Sequence, residues 1–261
     1  LIRALHTSAT GMEAQQAQVD NVSNNLANVN TTGFKRGRVD FQDLLYQTIK
    51  EAGAPAGPET QAPVGVQLGV GVNVGAIHKN FEQGAVDITS NPMDLMVNGD
   101  GFFGVQQANG EVAYTRNGSF QIDKEGRLMT KSGELIQPAI TIPTNSLSFQ
   151  VGPTGEVKVK LPGQNSESVV AQIELANFTN PAGLSAIGGS LYVPTDGSGE
   201  PTQGKPGENG LGMVMQGALE SSNVNVVNEM TNLIKAQRAY EMNSKVMTTA
   251  DQMMSTLNNI K

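Results

Sequence analysis

The chain contains no cysteine and only two histidines, His6 and His78. The absence of thiols excludes disulfides, thiol nucleophiles and Cys-type zinc sites, and it suits a protein that crosses between compartments of different redox poise. The two histidines stand in different regions without an H-E-x-x-H or other ligand spacing, which leaves a zinc hydrolase no constellation. No apolar run is long enough to span a bilayer, and the first residues show no basic region followed by an apolar core. The sequence therefore predicts neither membrane insertion nor a cleavable signal. An excess of positive charge is missing too. With 17 Lys and Arg against 24 Asp and Glu, the formal net charge of -7 argues against nucleic acid or an anionic membrane as a partner, because counterion release needs clustered cations.

What is present is helical patterning at both ends of 261 residues, a length sufficient for one or two domains with cores of their own. Val226, Leu233, Tyr240, Met247 and Met254 recur every seven residues, with Met230, Ile234 and Leu257 beside them, and no Gly or Pro interrupts the run. This spacing predicts one long helix with one apolar seam over 221–261, too long to be buried by a compact domain alone. Leu5, Met12, Val19 and Leu26 repeat the pattern, with Ile2, Ala9, Val22 and Val29 flanking, and predict a second seam helix over 1–30. Its outer face carries Gln15, Gln16, Gln18, Asn21, Asn24, Asn25, Asn28 and Asn30, and its only charges are Arg3, Glu13 and Asp20. Amides both donate and accept, so such a face suits contacts repeated between identical copies; the plainer reading is the solvated face of a helical hairpin.

Thr31-Thr32-Gly33 closes that helix, with Gly as a left-handed cap. Phe34-Lys35-Arg36-Gly37-Arg38 reads as a basic turn, either solvated or paired with acidic groups of a neighbouring copy. Val39 to Lys50 reads as a short amphipathic segment with Phe41, Leu44, Leu45 and Ile49. Gly53, Pro55, Pro58 and Pro63 make the next stretch an extended arm, within a connecting region of 31–75. Val64, Val66, Leu68, Val70, Val72 and Val74 then alternate as one strand or hairpin limb. From 76 to 220 short β-type runs are separated by Asn98-Gly99, Asn109-Gly110 and Asn117-Gly118, the strongest short-range hairpin signal. The predicted class is α+β: long coiled-coil-like terminal helices flank the arm and a mainly antiparallel all-β domain, with no internal repeat.

No catalytic constellation stands out. Gly99-Asp-Gly101-Phe-Phe-Gly104 matches G-x-G-x-x-G literally, with Asp123 some twenty residues on. A dinucleotide fingerprint needs a strand before and a helix after, and here a hairpin follows. Asp94, Asp100 and Asp123 lie in turn-rich β sequence where Asp satisfies its own backbone. There is no G-x-S-x-G elbow, and Tyr240 with the methionine row reads as packing. Neither cofactor nor metal is expected.

Ser23-Asn-Asn-Leu-Ala-Asn-Val-Asn-Thr-Thr-Gly-Phe-Lys35 resembles the N-terminal signature of the bacterial flagellar rod and hook proteins, through Asn25, Leu26, Ala27, Asn28, Gly33, Phe34 and Lys35. Ser222 to Val226 and Met230 to Lys245, with Gln237, Arg238, Ala239 and Tyr240, are similar to the paired C-terminal signature. Asp94 to Phe103, Tyr114 to Phe120 and Gln137 to Pro143 resemble the β domain shared by distal rod and hook members. The length, Asp40 to Ile49 followed by the arm and Gln67 to Gly71, and Ile2 to Leu5 fit the distal-rod branch, whereas His6 stands where an aromatic is expected.

The resemblance implies a non-enzymatic structural subunit of the flagellar basal body. Copies would stack into an open helical homopolymer, a hollow drive shaft spanning the periplasm with the terminal helices inside and the β domain outside. Implied partners are proximal rod proteins, the hook protein, the P-ring and L-ring proteins, a rod-cap assembly factor and the type III export apparatus. The seam residues would carry the subunit contacts, and the arm would brace neighbours. Another axial member, proximal rod or hook, is the nearest alternative; a trimeric surface adhesin module is the more distant one.

Overall fold

The computed structural model describes residues 2–51, 64–163 and 166–259. The arm positions Gly53, Pro55, Pro58 and Pro63 lie outside the described residues. The chain divides into two compact units, one built from residues up to 26, 37–78 and 225 onward, the other from 27–36 and 79–224.

The first unit holds helix α1 (Ile2–Ala27), strands β1 (Gly37–Asp43), β2 (Tyr46–Lys50), β3 (Val66–Gly69) and β4 (Val72–Lys79), and helix α2 (Val226–Asn259). β1 pairs with β4, and β2 pairs antiparallel with β3. The segment 39–50 is thus two strands rather than one amphipathic stretch. The alternating valines 64–74 are likewise split between two ladders. Gly71, at φ 138, breaks the run, and a Cβ there would stand 2.3 Å from Thr10 Oγ1. Only a residue without a side chain lets the strand pass this close to α1. α2 starts at Asn225, whose Oδ1 accepts the Asn228 N–H at 3.1 Å, an N-cap that answers one of the free donors of the first turn.

The two helices run antiparallel. A Cβ on Gly11 would lie 2.8 Å from Asn243 Nδ2, and Asn25 Nδ2 donates to Glu229 Oε2 at 3.2 Å, so fourteen residues along one helix correspond to fourteen back along the other. This register sets Gly11, Gln18 and Asn25 opposite Asn243, Ala236 and Glu229. Ala236, Ala250 and Glu229 are buried, whereas Val226, Tyr240 and Met254 of the predicted seam are exposed and Leu233 and Met247 half-buried. Leu5, Met12, Val19 and Leu26 are half-buried as well. The centre of the contact is a row of small and amide residues, and the apolar rows flank it. Met230, Ile234 and Leu257 are exposed.

The second unit is β throughout. Among the described residues its largest sheet has nine antiparallel strands, running in space Ser185–Gly188, Leu191–Val193, Val112–Thr115, Phe102–Gln106, Leu135–Gln137, Leu128–Thr130 and Phe120–Ile122. Phe102–Gln106 shares its second edge, with Leu135–Gln137 along one half and Leu175–Asn177 along the other. Thr202–Gly204 pairs on the far side of Leu175–Asn177. Leu95–Asn98 pairs with Met213–Gln216 and Val86–Ile88 with Ala218–Glu220, so the first and last strands of the unit close it. The strand Phe102–Gln106 follows Gly101 directly, where a dinucleotide site would need a helix.

One core gathers Leu95, Val97, Phe103, Phe120, Leu128, Ile136 and Leu175; a second is an edge-to-face cluster of Phe81, Phe102, Tyr114, Phe178 and Tyr192. Burial pushes the Tyr192 hydroxyl up to about 12. Phe103 is fully buried, edge-on to Phe120 at 5.2 Å. Phe103→Ala is expected to cost about 3–5 kcal/mol, the transfer term plus the cavity left behind. Urea unfolding followed by tyrosine fluorescence checks this; a loss below about 1 kcal/mol would mean that the two packed sheets collapse around the gap.

Candidate assembly surface and the signature residues

Two polar residues of the N-terminal motif, Asn25 and Lys35, are buried and occupied. In the first unit Asn25 sits on the inner side of α1, almost fully buried. Its Oδ1 accepts the Gly37 N–H at 2.8 Å and its Nδ2 donates to the Gly37 carbonyl at 2.9 Å, so one amide completes both backbone groups of the first residue of β1. Asn21, one turn earlier, donates to the same carbonyl at 2.9 Å. Gly37 has no room for a side chain, since its Cβ would lie 2.3 Å from Asn21 Oδ1. The asparagines at i and i+4 therefore serve as a clamp rather than a solvated face.

In the second unit the ammonium of Lys35 is buried. It donates to Glu220 Oε1 at 2.5 Å, to the Glu82 carbonyl at 2.7 Å and to the Phe81 carbonyl at 3.4 Å, three acceptors for its three protons. Glu220 Oε1 also accepts the Gly84 N–H at 2.8 Å, and the Glu220 backbone carbonyl accepts the Gly33 N–H at 2.8 Å. Arg116 approaches Glu220 Oε2 at 3.6 Å, donates to the Gly99 carbonyl at 2.8 Å and lies over the Phe102 ring at 5.1 Å. Burial lowers the pKa of Lys35 more than the Glu220 carboxylate raises it, and burial lowers that of Arg116 in the same way. The basic turn is thus not a solvated loop at Lys35. Arg36 is half-buried, 3.8 Å from Glu82, and Arg38 is exposed beside Asp40 at 3.3 Å.

The other signature positions follow suit. Gly33 adopts φ 68, and a Cβ there would meet the Asn117 nitrogen at 2.7 Å. Phe34 lies under the ammonium of Lys79, 4.6 Å from the ring centre. Asn28 accepts the Thr31 hydroxyl at 3.1 Å in the turn that ends α1. Ala27 is exposed and Leu26 half-buried. At the other end, Gln237 and Tyr240 join Gln16, Val19 and Glu241 around a groove of about 600 Å³ between the helices. Ala239 is half-buried, and Arg238 is exposed, 3.4 Å from Glu241.

Sequence periodicity missed how much apolar surface α2 leaves exposed. Val227, Met230, Ile234, Met242, Val246, Met253 and Leu257 are exposed. At about 3.6 residues per turn Val227 and Ile234 point away from the row Glu229, Ala236, Asn243 and Ala250, Met230 and Met242 lie about a quarter turn from it, and Val246, Met253 and Leu257 lie on or next to its own side. β2 and β3 form a further exposed apolar surface, carrying Tyr46, Ile49, Val66 and Leu68 on an isolated two-stranded ladder. Among the described residues no group of three or more His, Cys, Asp or Glu is placed to hold a metal ion. Asp94 accepts the Thr89 hydroxyl at 2.6 Å, and Asp123 pairs with Arg127 at 2.9 Å, which holds its carboxyl below the usual range.

Three family descriptions match successive parts of the chain: the flagella basal body rod protein over 5–35, the flagellar hook protein FlgE/F/G D1 domain over 96–159, and the flagellar basal body rod FlgEFG protein C-terminal region over 215–260. The flagellar basal-body rod protein FlgG of Caulobacter vibrioides is 48% identical over 261 residues, covering 100% of both chains. That of Borreliella burgdorferi is 46% identical, covering 100% of this chain and 99% of the relative. The Bacillus subtilis protein of the same name is 36% identical over the full length of both. The flagellar hook protein FlgE of Helicobacter mustelae matches at 40% over 52% of this chain and 30% of its own.

Breaking one side of the buried ion cluster leaves the other charge unpaired. Lys35→Met and Glu220→Gln are each expected to cost about 3–5 kcal/mol in urea unfolding of the purified chain. The double variant should recover more than about 1 kcal/mol of the summed losses. Strict additivity would mean that the two charges act independently.

Proposed function

The chain belongs to the family of bacterial flagellar basal-body rod and hook axial proteins, and from that premise we propose that it is the distal-rod subunit, polymerising into a hollow, rigid drive shaft. The observation that carries this reading is the exposed apolar surface of α2. Asn25 of α1 reaches Glu229 on its inner row, yet Val227, Met230, Ile234, Met242, Val246, Met253 and Leu257 face water at positions spread around the helix and along its length. A helix apolar beyond the row its partner covers belongs in the interior of something larger. A second copy in the same orientation supplies a surface that repeats. Head-to-tail contacts between unlike faces generate an open helix rather than a closed ring.

In this reading the helical unit lines the tube and the β unit forms its outer wall. The exposed β2–β3 ladder, together with the arm of Gly53, Pro55, Pro58 and Pro63, braces adjacent copies, since an isolated two-stranded ladder is marginal in water. The tube carries torque through the periplasm and the P-ring and L-ring proteins, joins proximal rod proteins to the hook protein, and grows under a rod-cap assembly factor. Export as an unfolded chain through the type III apparatus suits helices that are marginal until packed. An exposed apolar terminal helix also suits a proximal rod or hook subunit, but the hook relative is matched over only 30% of its length.

Ile234→Asp combined with Met242→Asp places charges among the exposed apolar residues of α2 and leaves the inner row intact. The expected result is loss of filaments in sedimentation and negative-stain micrographs, with monomer stability changed by less than about 0.5 kcal/mol, as for exposed sites generally. Filaments at wild-type yield would overturn the assignment of these residues to subunit contacts. A closed trimer in place of filaments for the parent protein would favour the adhesin-like alternative.

A further inference from the structure

Four Asn-Gly dipeptides punctuate the β unit, and the fold treats one of them differently. In such a pair the glycine nitrogen can attack the asparagine side-chain amide, because no Cβ blocks the approach. Whether it does depends on how firmly both groups are held. At Asn98-Gly99, Oδ1 accepts from Gln83 at 3.3 Å and the Gly99 N–H donates to Gln83 Oε1 at 3.2 Å, at the end of a paired strand. At Asn109-Gly110, the side chain is engaged twice by Glu111, at 2.8 and 2.9 Å, and the Gly110 N–H donates to the Gln107 carbonyl at 2.9 Å. At Asn117-Gly118, Oδ1 accepts the Ser119 N–H at 3.1 Å, and Gly118 is buried so tightly that a Cβ would overlap the Leu95 carbonyl.

Asn209-Gly210 has none of these restraints. Both residues are exposed, with φ 52 and φ 79, in a tight turn closed by the Leu211 N–H to the Glu208 carbonyl at 2.9 Å. Among the described residues the Asn209 side chain and the Gly210 N–H make no hydrogen bond, and nothing lies within 4 Å of the Cβ position of Gly210. Opening this turn costs two backbone bonds, Leu211 N–H to Glu208 and Gly207 N–H to Leu211, and leaves both reacting groups free throughout. Asn109-Gly110 also lies in an exposed turn, but there the reacting side chain and the glycine N–H are themselves hydrogen-bonded, and the remaining two sites sit at a strand end and in a buried turn.

We infer that Asn209 is a self-modifying site, at which the protein converts its own amide to a carboxylate. The Gly210 nitrogen forms a bond to Asn209 Cγ, the Cγ–Nδ2 bond breaks, and ammonia leaves with the proton from Gly210. Water then opens the five-membered imide at either carbonyl and yields aspartate or isoaspartate. The only co-reactant is water, and no redox change occurs. The product adds a negative charge beside Glu208, and the isoaspartate form lengthens the turn by one backbone carbon. A copy held in a long-lived assembly would acquire this mark with age.

The test is to incubate the purified full chain at mildly alkaline pH and to map peptides by mass spectrometry, reading the gain of one mass unit and the split into two isomeric products. In the native protein, conversion at Asn209 should exceed that at Asn98, Asn109 and Asn117 by at least about tenfold; in urea the four should converge to within about threefold. An acidic band should grow with time on isoelectric focusing and be absent from Asn209→Ser. Equal conversion at the four sites in the native protein, or an acidic band that persists in Asn209→Ser, would overturn the inference.

Discussion

A buried lysine ammonium must find an acceptor for each of its protons or give up its charge, and the second unit is arranged around meeting that demand at Lys35. Glu220 supplies one acceptor, and the carbonyls of Phe81 and Glu82 supply the others. Glu220 in turn is held by Gly84 and Gly33 and approached by Arg116. The cluster therefore requires four separated stretches of chain, around 33–35, 81–84, 116 and 220, to be in place together. A hydrophobic contact at the same position would tolerate partial assembly, because apolar burial is non-directional. An ion cluster with fixed donors does not, since a missing member leaves a buried charge unpaired.

Asn25 imposes the same kind of constraint in the first unit with a neutral group. An amide presents a donor and an acceptor side by side, which is the arrangement of a neighbouring strand, so it can complete the end of β1 without another strand. Its third bond, to Glu229, links this clamp to the first turn of α2 and so fixes the register of the antiparallel helix pair. Gly11 lies against the Asn243 side chain, and Ala236 and Ala250 are buried along the same row of α2. The register comes from one hydrogen-bonded end and a row of small residues, and the apolar flanks add stability without specifying alignment.

The β unit was legible because its signals are local. Asn109-Gly110 reappears as the turn of a hairpin, whereas Asn98-Gly99 and Asn117-Gly118 join strands that pair elsewhere, and Gly99 to Gly104 enters a strand rather than a helix. The long helices were legible from the same kind of regularity. The partners of polar residues were not legible, because they are set by contacts far apart in sequence: Lys35 and Glu220 are separated by 185 residues, and Asn25 and Glu229 by 204. A basic turn such as 34–38 looks solvated until the acceptors arrive from elsewhere. The valine alternation over 64–74 misled for the opposite reason. Its period was sound, but Gly71 divides it by a close approach to Thr10 that no local pattern announces.

The same reasoning explains why α2 keeps exposed apolar side chains that the folded monomer does not bury. A row of charges would be repeated beside its own copy in any assembly of identical chains and would repel itself, whereas methionine, valine and leucine pack against copies without a charge to balance. The inner row specifies alignment within one chain through small and polar residues; the exposed apolar residues need only shape and apolarity, and methionines at 230, 242 and 253 adapt to an uneven surface. One helix thus divides two tasks between two sets of side chains. The directional groups secure the fold of the subunit, and the adaptable groups are left for contacts whose geometry is set by many copies at once.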